Sequence, residues 1–205
     1  MDMTEYIYPQ LLFIIPFLNL TGWWLKHKTN VANKLIPLIF LVGVFAFDQI
    51  TKFLVVKNIP LYTIKFSFFG DLLRIVHVRN LGAAFSMGSN LASSFRAILL
   101  SFLPLVVLIF ALVIYFRSND FSYYQRWLIC GILGGGFGNI FDRIFRPEGV
   151  VDFIDVKFFG LFGMERFPTF NVADSFVMVC AILLVISVIN QMVREEKNKK
   201  AEEKK

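Results

Sequence analysis

The sequence predicts an all-α polytopic membrane protein: a four-helix transmembrane core, an extra N-terminal helix, and a small β-rich extracytoplasmic cradle. Three observations carry this reading. Hydrophobic residues make up 57% of the 205 positions and charged residues 18%, whereas soluble domains run about 45–50% apolar and about 25% charged. Phe occurs 25 times, which suits lipid-facing and interfacial surfaces. The basic residues behind the net charge of +6 fall in short clusters between apolar runs, as membrane orientation requires. They line no single face, so nucleic acid is not expected as a partner.

Each span follows from length and polarity. A membrane-crossing helix takes about 20 mostly apolar residues. Residues 7–25 are uncharged but carry Pro9, Pro16 and Asn19 and end at Trp23-Trp24. They read as the extra helix, ahead of an interfacial segment or a signal-like leader. Residues 35–56 form a span if Asp48 and Lys52 lie near its end. Residues 97–116 hold no charge before Arg117, and Pro104 predicts a kink. Residues 127–141 are shorter and glycine-rich (CGILGGGFGNIF), as expected where helices pack backbone to backbone. Residues 172–190 form the last span, with Asp174 in its first turn. The chain therefore divides into an N-terminal extension (1–34), a membrane domain (35–193) and a charged tail (194–205).

If the four core helices alternate, LKHKTNVANK, the Arg117–Arg126 loop and REEKNKKAEEKK share one side. Clustered Lys and Arg mark that side as cytoplasmic. The opposite side receives residues 57–95 and 146–170. There YTIKFSFFGDLLRIVHVRN mixes β-branched, aromatic and polar residues, the pattern of short strands. Lys57, Lys65, Arg74 and Arg79 also lie there, an exception that long connections tolerate.

Four polar motifs map to this outer side. In FDQITK, Asp48 and Lys52 stand at i and i+4 and can pair, most simply as a structural ion pair closing a helix end. In RNLGAAF, Asn80 offers two donors and an acceptor and Gly82 permits close backbone approach. In GNIFDR, Asn139 and Asp142 share a helix face, while Arg143 can pair with Asp142 or reach a lipid phosphate. In FNVADSF, Asn171 can cap the last helix, three residues before Asp174. Capping does not explain why Asp174 and Asp152 (of VVDFID) both approach hydrocarbon. A carboxylate there costs on the order of 3 kcal/mol, which makes it a functional candidate. Two such groups held close share a proton, giving an acid and a base near neutrality. On residue chemistry alone, Asp142 is as good a candidate as Asp152.

Other chemistries find less support. Cys130 and Cys180 sit in apolar segments without metal-ligand spacing, and His27 and His77 are too scattered for zinc. His77 with Ser86, Ser93 or Ser94 lacks a third orienting group. Asp142, Asp152, Asp155 and Asp174 can suit a hard cation, but the neighbouring asparagines and arginine suit acid–base work at least as well. No metal or cofactor is expected. A proton-coupled transporter would spread polar residues through the bilayer and show internal symmetry. A lipid-binding scaffold would tolerate loss of either aspartate.

Read in order, DQxTK, RNxGAAF, GGxxGNxxDR, VVDFID and FNxADS resemble the signal peptidase II family of bacteria, over residues 45 to about 190. The resemblance implies an intramembrane aspartic endopeptidase in the plasma membrane, with its site at the outer leaflet. Its substrates would be diacylglyceryl-modified prolipoproteins, cut just before the lipid-bearing cysteine. Membrane lipids would be its other partners, and it would act as a monomer. By position, the resemblance makes Asp152 and Asp174 the catalytic pair. Asn80, Gly82, Asn139, Asp142, Arg143, Asn171 and Ala173 become substrate-binding or supporting residues, and Asp48 and Lys52 structural ones. Residues 1–34 have no counterpart in the family core. KFFGLFGMERFPTF makes the Asp152–Asp174 connection longer than the family pattern.

Overall fold

The computed structural model describes residues 31–82 and 98–202. The predicted extra helix over residues 7–25, and Ser86, Ser93 and Ser94, lie outside the described residues. A short helix α1 (Val31–Leu35) turns through Pro37 into α2 (Leu38–Asn58). The remaining helices are α3 (Leu103–Arg117), α4 (Tyr123–Phe145) and α5 (Val172–Glu202). With α1 and α2 taken together, four stretches among the described residues are long and apolar enough to cross a membrane. Ile39, Val42, Ile50, Phe53, Val107 and Val185 all face outward, as expected where the surrounding medium is hydrocarbon rather than water.

α4 is the central helix. Gly131, Gly134, Gly135 and Gly138 recur at i, i+3, i+4 and i+7 and so share a face. A Cβ on Gly134 would sit 2.6 Å from the Leu41 carbonyl oxygen of α2, and one on Gly135 2.5 Å from that of Ala173 on α5. The backbones of α2 and α5 thus lie directly on α4. Gly136 faces only the flexible tip of Leu108 on α3. Gly134→Ala and Gly135→Ala should therefore lower the melting temperature in detergent, because overpacking against backbone costs about 1–3 kcal/mol. Gly136→Ala should be neutral or stabilising, since Ala gains about 1 kcal/mol over Gly in a helix. Equal melting of all three variants would contradict this packing.

Polar residues set the ends of α4. Ser122 and Gln125 form a reciprocal capping box: the Gln125 amide donates to Ser122 Oγ at 3.2 Å, and the Ser122 amide to Gln125 Oε1 at 2.9 Å. The helix therefore begins at Tyr123, before the expected 127. Gln125 Nε2 also donates to Gln191 Oε1 on α5 at 2.9 Å. Arg126, read from sequence as a loop charge, is buried. It donates to the Tyr115 and Ser118 carbonyls at 3.0 and 2.9 Å, satisfying the C-terminus of α3. Tyr115 Oη donates to the Lys34 carbonyl at 2.6 Å, so these groups share one end of the bundle. Pro104 does not kink α3. It stands in the first turn, where a missing amide hydrogen costs little, after a π-helical turn at Ile98–Phe102. α5 runs on to Glu202, so most of the charged tail continues the last helix.

At the other end lies a three-stranded antiparallel sheet in the order β1 (Ile64–Phe68), β2 (Leu73–Asn80), β3 (Val150–Val156). β3 is the VVDFIDV motif itself. Val151 and Phe153 pack on Val55 of α2 and on Ile59, which follows that helix. Side chains alternate along a strand, so Asp152 between them is carried on the opposite face. The register pairs Val78 with Asp152 and Asn80 with Val150, which makes Asn80 and Asp152 diagonal neighbours on one face.

Candidate active site

The polar motifs converge where the sheet meets the neighbouring ends of α2, α4 and α5. The deepest layer is ionic. Lys52 Nζ lies 2.8 Å from Asp48 Oδ2 and 3.1 Å from Asp142 Oδ2, and all three side chains are fully buried. Gln49 Nε2 donates to Asp48 Oδ2, Asp142 Oδ1 and the Gly138 carbonyl at 3.0, 3.2 and 3.1 Å. Gly138 leaves room for this set, since a Cβ there would come 2.5 Å from Asp48 Oδ2. Asp48 Oδ1 accepts from the Ala173 amide at 3.0 Å, pinning the start of α5 to α2. Asp142 also pairs with Arg146 and accepts from the Val151 amide at 3.2 Å, tying β3 to α4.

Asn139 and Asn171 form the next layer. Asn139 Oδ1 accepts from Lys52 Nζ at 2.9 Å and Asn171 Nδ2 at 3.1 Å, so its Nδ2 points at Asp174 Oδ1, 2.7 Å away. Asn171 Nδ2 donates to Asp152 Oδ1 at 2.7 Å. Asn171 Oδ1 accepts from the Asp174 amide at 3.0 Å, while the Asn171 amide donates to Asp174 Oδ2 at 3.1 Å. That is the predicted helix cap, with Asp174 as its reciprocal partner. The two carboxylates therefore hang on one pair of asparagine amides, Asp152 from the sheet and Asp174 from the first turn of α5. Only Asp152 is nearly closed off, at 2% exposure; Asp174 is half-buried.

The rim is built by β2 and Arg143. Asn80 Nδ2 donates to Asp152 Oδ2 at 3.0 Å, and its Oδ1 accepts from the Gly82 amide at 2.9 Å. Arg143 Nη2 donates to the Gly82 carbonyl at 2.7 Å. Arg143 therefore holds the chain leaving β2 and lies within Coulombic reach of Asp152 and Asp174. Burial, reinforced by the like charge of Asp174, pushes the Asp152 carboxyl up to about 7, against opposing hydrogen bonds from Asn80 and Asn171. Among the described residues, no three His, Cys, Asp or Glu side chains are grouped to hold a metal ion.

Every site residue expected from sequence lies in this region; the Asp48–Lys52 pair and the Asn171 cap are as expected, whereas the partners of Asp142 differ. Asp142 is paired by Arg146 and Lys52, not by Arg143, and it spends its oxygens inside the ionic layer. Gln49 and Arg146 were not anticipated. Arg146 stands four residues after Asp142, a spacing that would have found it. Gln49 sits at i+1 from Asp48, off the expected face, and reaches the site only through its length.

Residues 39–190 match the family model for signal peptidase (SPase) II. The chain belongs to the signal peptidase II family. It is 48% identical over 170 residues to a lipoprotein signal peptidase of Treponema denticola, covering 83% of this chain and 98% of that one. It is 49% identical over 159 residues to its Treponema pallidum counterpart, covering 78% and 86%. Its fold is similar to a solved bacterial membrane enzyme determined by the in meso method at 2.3 Å (TM-score 0.64, 26% identity, covering 81% and 93% of the two chains). A second such structure, at 1.9 Å, gives a TM-score of 0.61 at 26% identity, covering 79% and 96%. As a signal peptidase II, this is a bacterial membrane-spanning protease of the aspartic type, and it removes signal peptides from prolipoproteins.

Proposed function

We propose that Asp152 and Asp174 are the catalytic pair of this peptidase, and that its substrate is a prolipoprotein carrying diacylglycerol on its future first cysteine. The observation carrying this reading is the convergence of the two carboxylates on Asn139 and Asn171, with Asp152 kept protonatable near neutrality. Burial keeps a proton on Asp152 near neutrality, which leaves Asp174 the role of base. Asp174 takes a proton from the attacking water. Asp152 donates its hydrogen to the scissile carbonyl, and a gem-diol forms. As it collapses, Asp174 gives its proton to the departing amine while Asp152 takes one back from a gem-diol hydroxyl, and the C–N bond breaks before the lipid-bearing cysteine. Positioned proton transfer of this kind is worth about 10²–10⁴-fold.

Asn80, Gly82 and Arg143 orient the peptide at the rim. Asn139, Asn171, Asp142 and Ala173 hold the pair, and Asp48 and Lys52 brace the helix ends. One chain supplies every one of these residues, which supports a monomeric enzyme. The end bearing Lys34, Arg117 and the charged tail is cytoplasmic by the distribution of basic residues. The sheet and the carboxylates then face the outer leaflet, where a lipid-anchored peptide arrives laterally and membrane lipids flank it.

The test is a detergent assay with a synthetic diacylglyceryl prolipopeptide, read by mass spectrometry across pH. The expected product is cut directly before the modified cysteine, and the unlipidated peptide should be poor substrate. The required proton is held below the raised Asp152 pKa and lost above it, so kcat/KM should fall as pH rises through about 7. Asn80→Ala removes a donor that favours the ionised form, so it should move that limb to higher pH. Efficient cleavage of unlipidated peptide would overturn the substrate assignment. An alkaline limb that moves down or stays fixed in Asn80→Ala would overturn the role given to Asp152.

A further inference from the structure

Two turns at the far end of the sheet repeat the same three residues, Phe-Phe-Gly, at 68–70 and 158–160. Each carries an outward phenylalanine in the left-handed region: Phe69 at φ 54° and Phe159 at φ 53°, with Phe162 at φ 53° one step further. Bulky residues avoid this region, and such conformations persist only when something compensates them. Backbone hydrogen bonds close the turns, from the Leu72 amide to the Phe69 carbonyl at 3.4 Å and from the Leu161 amide to the Phe158 carbonyl at 3.0 Å, yet the three side chains stay largely outside the fold. Phe69 is 81%, Phe159 70% and Phe162 84% exposed.

The turns are held side by side. Arg166 Nε donates to Asp155 Oδ1 at 2.6 Å, and its Nη1 reaches both the Asp71 carbonyl and carboxylate at 3.3 Å. Arg74 Nη2 donates to Asp71 Oδ2 at 2.6 Å, and the Lys157 amide to the Leu72 carbonyl at 2.8 Å. This clamp joins the β1–β2 turn to the loop that follows β3.

We propose that the two turns form an anchor inserted into the phospholipid leaflet on the sheet's side of the membrane, with Phe69, Phe159 and Phe162 in its interfacial layer. Continuity identifies the occupant. Leu54 and Ile59 of the α2 end share a groove with Lys65 and Phe66 of β1. Phe66 stacks on Phe68 at 6.1 Å, and Phe68 leads into Phe69. A largely apolar path, edged by Asn58 and Lys65, thus runs from the lipid-facing surface of α2 along β1 to the first turn, and the clamp holds the second turn beside it. Lysines flank it in the manner of side chains that keep their stems in apolar surroundings and their charge in water. Lys57 lies 6.0 Å above the Phe53 ring and Lys157 5.5 Å above Phe159. A rigid clamp suits a surface that must keep its shape against fluid lipid. Because β3 runs from Asp152 to this end, the anchor sets the depth at which the carboxylates sit.

The test is collision-based depth measurement on full-length protein in nanodiscs of plain phospholipid, in a background with Cys130 and Cys180 replaced by alanine. Spin labels go on Phe69→Cys and Phe162→Cys. Val185→Cys on α5 serves as lipid control, and exposed Asp120→Cys in the α3–α4 loop as aqueous control. Oxygen collisions exceeding nickel-chelate collisions at 69 and 162, as at 185, are expected. A nickel-dominated profile like that at 120 would overturn the anchor. The anchor would fall even if a membrane extract then protected the sites, because the occupant would be a protein. Should the cysteine-free background fold poorly, Phe162→Trp in the native-cysteine protein gives an independent reading. Brominated acyl chains should quench its added emission severalfold, and unquenched emission would overturn the proposal.

Discussion

Asp152→Asn and Asp174→Asn are each expected to abolish cleavage of a lipidated prolipopeptide while leaving a folded, membrane-inserted protein. Asn keeps the volume and one acceptor but can neither hold nor release the proton. The loss should reach at least the roughly 10²–10⁴-fold attributed to positioned proton transfer. It should be larger if the residues act as a unit, because members of one catalytic set are strongly non-additive. The double variant should then be no worse than either single one. Each site provides its own folding control. At 152, Asn171 and Asn80 donate to the two oxygens, so an amide can satisfy only one of them. A modest drop in melting temperature is therefore expected alongside a complete loss of turnover. Substantial processing by either variant would remove that residue from the chemistry.

Lys52→Met is expected to have the largest effect on stability. Its ammonium group is fully buried between Asp48 and Asp142 and also donates to Asn139. Breaking a buried ion pair from one side leaves uncompensated charge, which costs about 3–5 kcal/mol. That is a large share of the roughly 5–15 kcal/mol that keeps a typical protein folded. Arg146 still pairs with Asp142, so Asp48 bears most of the damage. Adding Asp48→Asn should recover part of the loss, since the two sites are coupled. Thermal unfolding in detergent measures both effects. Unchanged melting of Lys52→Met, or no recovery in the double variant, would contradict the ionic layer as described.

The helical core was legible because spans of about 20 apolar residues have few alternatives, and α2 and α3 end within a few residues of their expected limits. β3 was harder. VVDFIDV has both faces covered and reads as an apolar run, which periodicity cannot tell from the start of a helix. The ends of α4 were missed because Gln125 and Arg126 look like loop residues, yet each finds partners inside the bundle. At the site, in-helix spacings such as Asp48–Lys52 were visible. The convergence of α2, α4 and α5 that inserts Lys52 between Asp48 and Asp142 was not. Local spacing also could not rank Asp142 against Asp152, and only the packing of α4 on α2 turns Asp142 toward lysine.

The Asn171 bridge has a consequence for biogenesis. Asp152 lies on β3, which is made before α5, whereas Asn171 and Asp174 enter at the start of α5 and meet Asn139, already in place on α4. A nascent chain halted anywhere before α5 docks carries one carboxylate without its counterpart. With the pair assigned as proposed, proteolytic competence is deferred until α5 docks, and a chain halted before that point is inert.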